Sequence, residues 1–344
     1  MTDVQIHHGE LPSDWDGFVA THPKGSWYHQ SRWKNLIEES FGHKSYYLSA
    51  RRNGKLVGVL PLSLVESILF GRFLVAPAYG RYGDICAEDS AVEEAILSRA
   101  KSLARQLNVH YLETRNVEPI DDDELLVKTY KQTFWLELAD NEETMWKTFR
   151  SEIRNRARKA EAAGCVTSVG GADRVDDFYY IFCRHMRELG TPVYGKELFD
   201  NLARIYGNDA RIITTHIAGK PVGAGIMIFY NDIVEVPWIS SLESAFKAYP
   251  NNAMYMGAIR YAIQRKCKRF DFGTSNEGSG NAEFKLRWGA RMIKLHWQYY
   301  LVKKKKLPDL SPHNESFSLA ISAWQRLPLW VTTTLGPRIM RMIP

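Results

Sequence analysis

Apolar positions along the chain follow two periods, and their alternation sets out a repeated order of elements. Trp33, Leu36, Ile37 and Phe41 recur at the helical interval within SWYHQSRWKNLIEESFG, with Gly42 just past the end, which predicts an amphipathic helix over 26–42. The period then changes. KSYYLSAR and LVGVLPLSLV flank Asn53-Gly54, a strong hairpin signal. FGRFLVAPAYGRYGDI predicts a strand broken at Pro77, a helix is expected over 91–107, VHYLETRN reads as a strand, and TFWLELA closes the first half. The second half repeats the order. One helix is predicted over 145–164 (MWKTFRSEIRNRARKAEAAG) and another over DDFYYIFCRHMRELG. They are followed by ARIITTHI, the turn Ala218-Gly219-Lys220, PVGAGIMIFY, DIVEVPWIS, a helix from near Asn251, KRFDFGTSN and finally HWQYYLV.

The repeat carries an identity signal as well as an order. Gly54, Lys55, Val57 and Gly58 match Gly219, Lys220, Val222 and Gly223 at one constant offset. VHYLETRN and KRFDFGTSN therefore hold equivalent places, as do TFWLELA and HWQYYLV. The fold class that follows is mixed α/β, with two similar domains over 1–140 and 141–302 and a basic, amphipathic helical tail over 303–344; each copy has ordinary domain size. Composition agrees with a soluble globular protein, at 45% hydrophobic and 24% charged residues. No apolar run is long enough to span a bilayer and the N-terminus lacks a signal-peptide pattern, so a cytoplasmic protein is expected. Cys86, Cys165, Cys183 and Cys267 show no metal-ligand spacing, which predicts reduced thiols and no metal site. A net charge of +6 favours an anionic partner.

Helix, hairpin, strand, helix, strand, strand is an order that resembles the GNAT acyltransferase fold. Tandem GNAT units are the architecture of the FemAB/FemX family, the aminoacyl-tRNA-dependent transferases of peptidoglycan cross-bridges. Trp146, Arg150, Arg154, Arg158 and Lys159 on one helix, the hairpin AGKPVGAGIMIFY, YPNNAMYMGAIRYAI leading into FDFG, and EFKLRWG carry the resemblance over roughly 15–302. The chain looks closest to the FemAB-like proteins associated with the PEP-CTERM/exosortase system of Gram-negative bacteria, which have a similar FDFG…G-G…FK…WG…Y-Y ending and an RLPL…LGP tail. The resemblance implies transfer of an aminoacyl or acyl group to an amine of a cell-envelope precursor or an exopolysaccharide-linked acceptor. The donor would be aminoacyl-tRNA or acyl-CoA as co-substrate, with no bound cofactor and no DNA partner. A coenzyme A-dependent N-acyltransferase and a non-catalytic scaffold binding RNA, lipid or glycan are the alternatives.

Acyl transfer to an amine needs a deprotonated amine, a polarised carbonyl and a stabilised oxyanion. Lys285, which matches the family's FK lysine, is the candidate for the positive charge. Asp271 is expected to pair Lys285, orient the acceptor amine, or cap strand-end amides; Glu283 is either a base or a solvated loop acid. No Ser-His-Asp or Cys-His arrangement stands out, so direct transfer in a ternary complex is expected. Arg150, Arg154 and Arg158 at i, i+4, i+8 form either a solvated face or a stripe for phosphate, with Arg154 and Arg158 as acceptor-binding candidates. Tyr82, Arg81, Tyr194, Asn252, Ser275 and Arg287 complete the substrate-binding set. Ordinary GNAT enzymes carry a glycine-rich loop for the coenzyme A pyrophosphate before the helix that here begins near Asn251; SSLESAFKAYPNN lacks those glycines. In the tail, residues 303–306 are four lysines, and Phe317, Leu319, Ile321, Trp324, Leu327 and Trp330 mix with Arg326, Arg338 and Arg341. The segment is either a helix packed on the second domain or a peripheral contact with the inner face of the plasma membrane.

Overall fold

The computed structural model describes residues 2–67, 70–303 and 315–343. The chain forms two compact units, one from residues 2–131, 294–303 and 339–343 and the other from 132–293 and 315–338. Each is a mixed α/β body.

In the first unit the helix Ser31–Phe41 buries Trp33, Leu36, Ile37 and Phe41 and stops at Gly42, whose φ of 65° is the left-handed conformation that glycine adopts freely. The hairpin Tyr47–Arg52 to Lys55–Leu60 turns through Asn53 and Gly54, both at positive φ, as a twist-matched two-residue turn requires. LVGVLPLSLV, expected as one strand, is two. Lys55–Leu60 stays in a four-stranded sheet with Asp3–His7, Tyr47–Arg52 and Cys86–Ala87, whereas Ser63–Ser67 enters a six-stranded sheet. Pro61 stands at the switch and has no N–H to continue a ladder. Leu48, Val57, Leu74, Ile96 and Leu112 lie in the core of this unit.

The second unit is built on one large sheet, in the order Val166–Gly170, Ala210–Ile217, Lys220–Tyr230, Ile233–Ser241, Arg269–Asp271, Lys131–Glu137, Ser275–Asn276. One face buries Ile213, Met227, Val234, Phe270 and Phe134 against Ile153, Tyr255 and Ile259 of the helices Ser151–Ala162 and Pro250–Gln264. The helices Val175–Glu188 and Lys196–Tyr206 join the sheet through Phe178, Phe182, Phe199 and Trp238. The second of these went unread in the sequence, although Leu198, Phe199, Leu202 and Tyr206 are buried at helical spacing.

The closing strands correct the sequence reading. TFWLELA was expected to finish the first half, yet Lys131–Glu137 pairs antiparallel with Arg269–Asp271, and His296–Leu301 pairs antiparallel with Tyr111–Asn116. The two strands hold equivalent places in the repeat, so each fits the other's edge. Side chains make the choice: Gln298 Oε1 accepts from Asn116 Nδ2 (3.0 Å) and from the Ile120 amide (2.7 Å), and its Nε2 donates to the Ile120 carbonyl (2.8 Å). The tail forms helices Glu315–Arg326 and Leu329–Met340; the lysines at 304–306 and Pro308 and Pro312 lie outside the described residues. No described helix is long and apolar enough to cross a membrane, and no described cluster of His, Cys, Asp or Glu could hold a metal ion.

Candidate active site

A parallel strand pair that stops short organises each unit. In the second, Ile233–Ser241 and Arg269–Asp271 pair only as far as Glu235↔Asp271, and Pro237 follows; in the first, Gly71–Ala76 and Tyr111–Asn116 pair as far as Ala76↔Thr114, and Pro77 follows. A proline cannot donate to the next rung, so the ladder ends there. Beyond it, in the second unit, the chain turns at Gly273 with φ of 72°. A Cβ at that position would lie 2.9 Å from the Val236 carbonyl oxygen, so only glycine fits.

Two charged side chains hold that turn. Asp271, fully buried, accepts from the Gly273 amide (2.8 Å) and Thr133 Oγ1 (2.6 Å) with one oxygen and from Trp135 Nε1 (2.9 Å) with the other. Lys285 is buried too. Its Nζ donates to the carbonyls of Gly273 (2.8 Å) and Thr274 (3.0 Å) and lies 5.3 Å from the centre of the Phe134 ring. The segment EFKLRWG is therefore not loop: Gly280–Arg287 is a helix capped by Ser279, whose Oγ accepts from the Ala282 amide. Helical spacing turns Lys285 inward while Glu283 points outward, its side chain 66% exposed and 3.7 Å from Arg287. The structure does not bring Glu283 to Asp271 and Lys285. Ser275, buried, follows directly on the held turn.

Glu235 escaped the sequence reading. It sits opposite Asp271 in the parallel register and is equally sequestered, so two carboxylates lie side by side where the ladder ends. An acid between valines in VEVP was the available signal. The elements around this point also carry buried polar atoms with no protein partner: Trp238 Nε1, Asn252 Nδ2 and Asn276 Oδ1. Each such atom costs on the order of 1–3 kcal/mol when it stays unpaired. Tyr194 stands edge-on to Trp238 with ring centres 6.3 Å apart.

The helix Pro250–Gln264 offers little to a phosphate. Pro250 has no N–H, and the amides of Asn252 (3.0 Å) and Ala253 (3.2 Å) both donate to the carbonyl of Tyr249, which caps the helix from φ of 56°. Asn251 Oδ1 accepts from Ser241 Oγ. The matching helix of the first unit, Ser90–Gln106, starts at Asp89, whose carboxylate takes the Val92 amide and pairs with Arg52. A carboxylate at that position repels a second anion. Neither helix start is the open set of amides that binds pyrophosphate elsewhere.

The predicted arginine helix also changes. It is two helices, Glu142–Thr148 and Ser151–Ala162, separated by Phe149 and Arg150 in extended conformation. Phe149 is buried edge-on against Trp288, with ring centres 5.3 Å apart, and this packing overrides local helix propensity. Arg150 thus leaves the stripe. Arg154 Nη1 donates to the Phe149 carbonyl (2.7 Å), closing the end of the shorter helix, while Arg158 lies exposed with its guanidinium 5.5 Å from the Trp146 ring centre. Arg158, Trp146, Cys165, Ala253 and Arg260 line an open cleft of about 350 Å³. Arg287 reaches Glu152 at 3.5 Å. Arg81 and Tyr82 belong to the first unit, where Tyr82 stands edge-on to Tyr28 at 6.3 Å. Burial, then Arg81 and Arg115, push Lys131 down to about 8.

Residues 147–286 match the family described as the acetyltransferase (GNAT) domain. Comparison with curated proteins gave no match. Among solved structures, the chain is similar to FemX at a TM-score of 0.70 and 13% identity, covering 88% of this chain and 98% of that one. L-PGS from Bacillus licheniformis aligns at a TM-score of 0.57 and 12% identity, covering 92% of this chain and 98% of that one. A tandem GNAT protein from the clavulanic acid biosynthesis pathway aligns at 0.51 and 11%, covering 87% and 98%. The last of these shares the tandem arrangement of units. The expected fold class stands, and the match over 147–286 gives the chain an acyltransferase domain of the GNAT type there.

Proposed function

We propose that the chain transfers an aminoacyl group directly from aminoacyl-tRNA to an amine of an anionic cell-envelope precursor or exopolysaccharide-linked acceptor, on the cytoplasmic side, with the second unit as the catalytic one. The observation that carries the donor assignment is the closed start of both helices. Coenzyme A recognition would need open amides for a pyrophosphate, whereas at one start Pro250 has no N–H and Tyr249 takes the Asn252 amide, and at the other Asp89 places a carboxylate. The neighbours FemX and L-PGS, alike in fold, favour an envelope setting.

In this reading the neutral acceptor amine attacks the donor ester carbonyl, forming the C–N bond. The tetrahedral oxyanion is stabilised near the Lys285 ammonium, the ester C–O bond breaks, and the amine proton passes to the leaving ribose oxygen. Asp271 and Glu235 set the geometry and charge around the Gly273 turn. Arg158 and Arg260 supply the positive face for the acceptor's phosphates. Acyl-CoA as donor is the second reading, favoured by the domain match itself. Purified protein incubated with labelled aminoacyl-tRNA or labelled acyl-CoA, each with envelope precursors as acceptors, separates them. Transfer of label from aminoacyl-tRNA alone is expected; comparable transfer from acyl-CoA overturns the donor assignment.

A further inference from the structure

The tail helix Leu329–Met340 has one face built into the second unit. Thr332 and Gly336, an i,i+4 pair, are buried; a Cβ on Gly336 would lie 2.8 Å from the Val193 amide nitrogen, so the helix backbone rests directly on that segment. The preceding helix is fixed in the same way, with Gln325 Nε2 donating to the Glu188 carbonyl (2.8 Å) and Ile321 covering Gly190. The tail is thus anchored, and its opposite side is held outward.

That side has an unusual composition. Trp330, Thr334 and Arg338 recur at i, i+4, i+8, away from Thr332 and Gly336, and all three are exposed. Trp330 is 71% exposed and Leu335, at the edge of the stripe, 40%. The hydroxyl of Thr334 donates to the Trp330 carbonyl (2.7 Å), and Thr333 donates to the Leu329 carbonyl (2.9 Å), so these threonines present methyl groups with their polar atoms already satisfied. Arg338 ends the stripe, the exposed Arg326 precedes it in sequence, and from Ser316 to the C-terminus the sequence has no acidic residue.

We infer that this face docks the second unit on an anionic lipid surface, with Trp330 at the headgroup level and Arg326 and Arg338 against lipid phosphates. An indole with an apolar body and one N–H suits the boundary between headgroups and acyl chains, and arginines beside it meet negative charge. Nucleic acid would match the charge equally well, but it gives Leu335 and the threonine methyls nothing to bury against. Only a lipid surface uses both. The inference is independent of which acyl donor the enzyme takes.

Flotation of the full chain with vesicles of phosphatidylcholine alone, or with phosphatidylglycerol added, tests it. Binding is expected only to the anionic vesicles and to fall with salt. Arg326→Glu and Arg338→Glu should each lower the bound fraction by about fivefold or more, from the worth of one basic residue near such a surface. Trp330→Ala and Thr334→Glu, both at exposed positions, should weaken binding without changing the thermal midpoint. Failure of the wild-type chain to float, or binding that is indifferent to all four substitutions, overturns the inference. So does loss of tRNA retention in a gel-shift assay by the Trp330→Ala protein while flotation is unchanged, which would assign the face to RNA.

Discussion

Lys285 uses its charge inside the protein before any substrate arrives. Two main-chain carbonyls, of Gly273 and Thr274, accept its hydrogen bonds, and Asp271 holds the amide of the same turn from the other side. Lys285→Met removes charge-assisted bonds and leaves two carbonyls without that partner, at a cost of about 2–4 kcal/mol. The expected readouts are a lowered thermal midpoint and lost transferase turnover with acceptor binding retained. Lys285→Arg, if it restores the midpoint but not turnover, separates a chemical role from the structural one. A second residue-scale effect concerns pH. His29 and His43 are buried in the first unit, and burial lowers each to about 4. A base depressed in this way contributes stability that is whole above its unfolded value near 6.5 and is lost as pH falls toward 4, because the unfolded chain takes up the proton first. Asp84, raised by burial to about 6, acts in the opposite sense over the lower part of this window. Two histidines outweigh one carboxylate, so denaturant midpoints should fall between pH 7 and pH 5. His29→Gln should flatten that slope.

Elements were legible where a local signal decides them. Asn53-Gly54 fixed a hairpin by its own turn geometry, and Trp33, Leu36, Ile37 and Phe41 marked a helix whose face is in fact buried. The repeat followed from such signals in order, and its order resembles the tandem GNAT fold. What stayed hidden depends on contacts distant in sequence. Nothing in TFRSE announces that Phe149 packs on Trp288 and breaks a helix, or that Arg154 then closes the helix end. Lys285 and Asp271 were singled out in the sequence and do converge on one turn; Glu235 joins them only once the parallel register is known. The broken helix also separates two arginines that look alike in sequence. Arg154→Ala should lower stability by about 1–2 kcal/mol by freeing the Phe149 carbonyl, with acceptor KM unchanged. Arg158→Ala, on an exposed site, should leave stability alone and raise KM. At Gly273, alanine would meet the Val236 carbonyl and adopt an unfavourable φ, a loss of at least about 1 kcal/mol that a melting curve would register together with reduced turnover.

At the scale of the whole chain, the closing strand of each half completes the sheet of the other. The first unit's strand Tyr111–Asn116 is flanked by Gly71–Ala76 and by His296–Leu301, so the sequence up to residue 131 lacks one neighbour of a fully buried strand. The missing strand supplies more than backbone partners. Trp297 covers the Arg115 guanidinium at 4.2 Å, His296 Nδ1 contacts the Val117 carbonyl, and Gln298 accepts from Asn116 Nδ2 and bonds both polar groups of Ile120. Arg115 and Glu113 are a buried ion pair at 2.7 Å, and without the strand the guanidinium loses its Trp297 ring partner. A fragment of residues 1–131 should therefore expose an unpaired edge, bind hydrophobic dyes and unfold without a sharp transition. Addition of a peptide spanning 294–303 should restore a cooperative denaturant transition, and the same peptide with Gln298→Ala should do so less well. Cooperative unfolding of the 1–131 fragment by itself would show that the exchanged strand is dispensable for folding, and the cross-connection would then serve the geometry of the sheet alone.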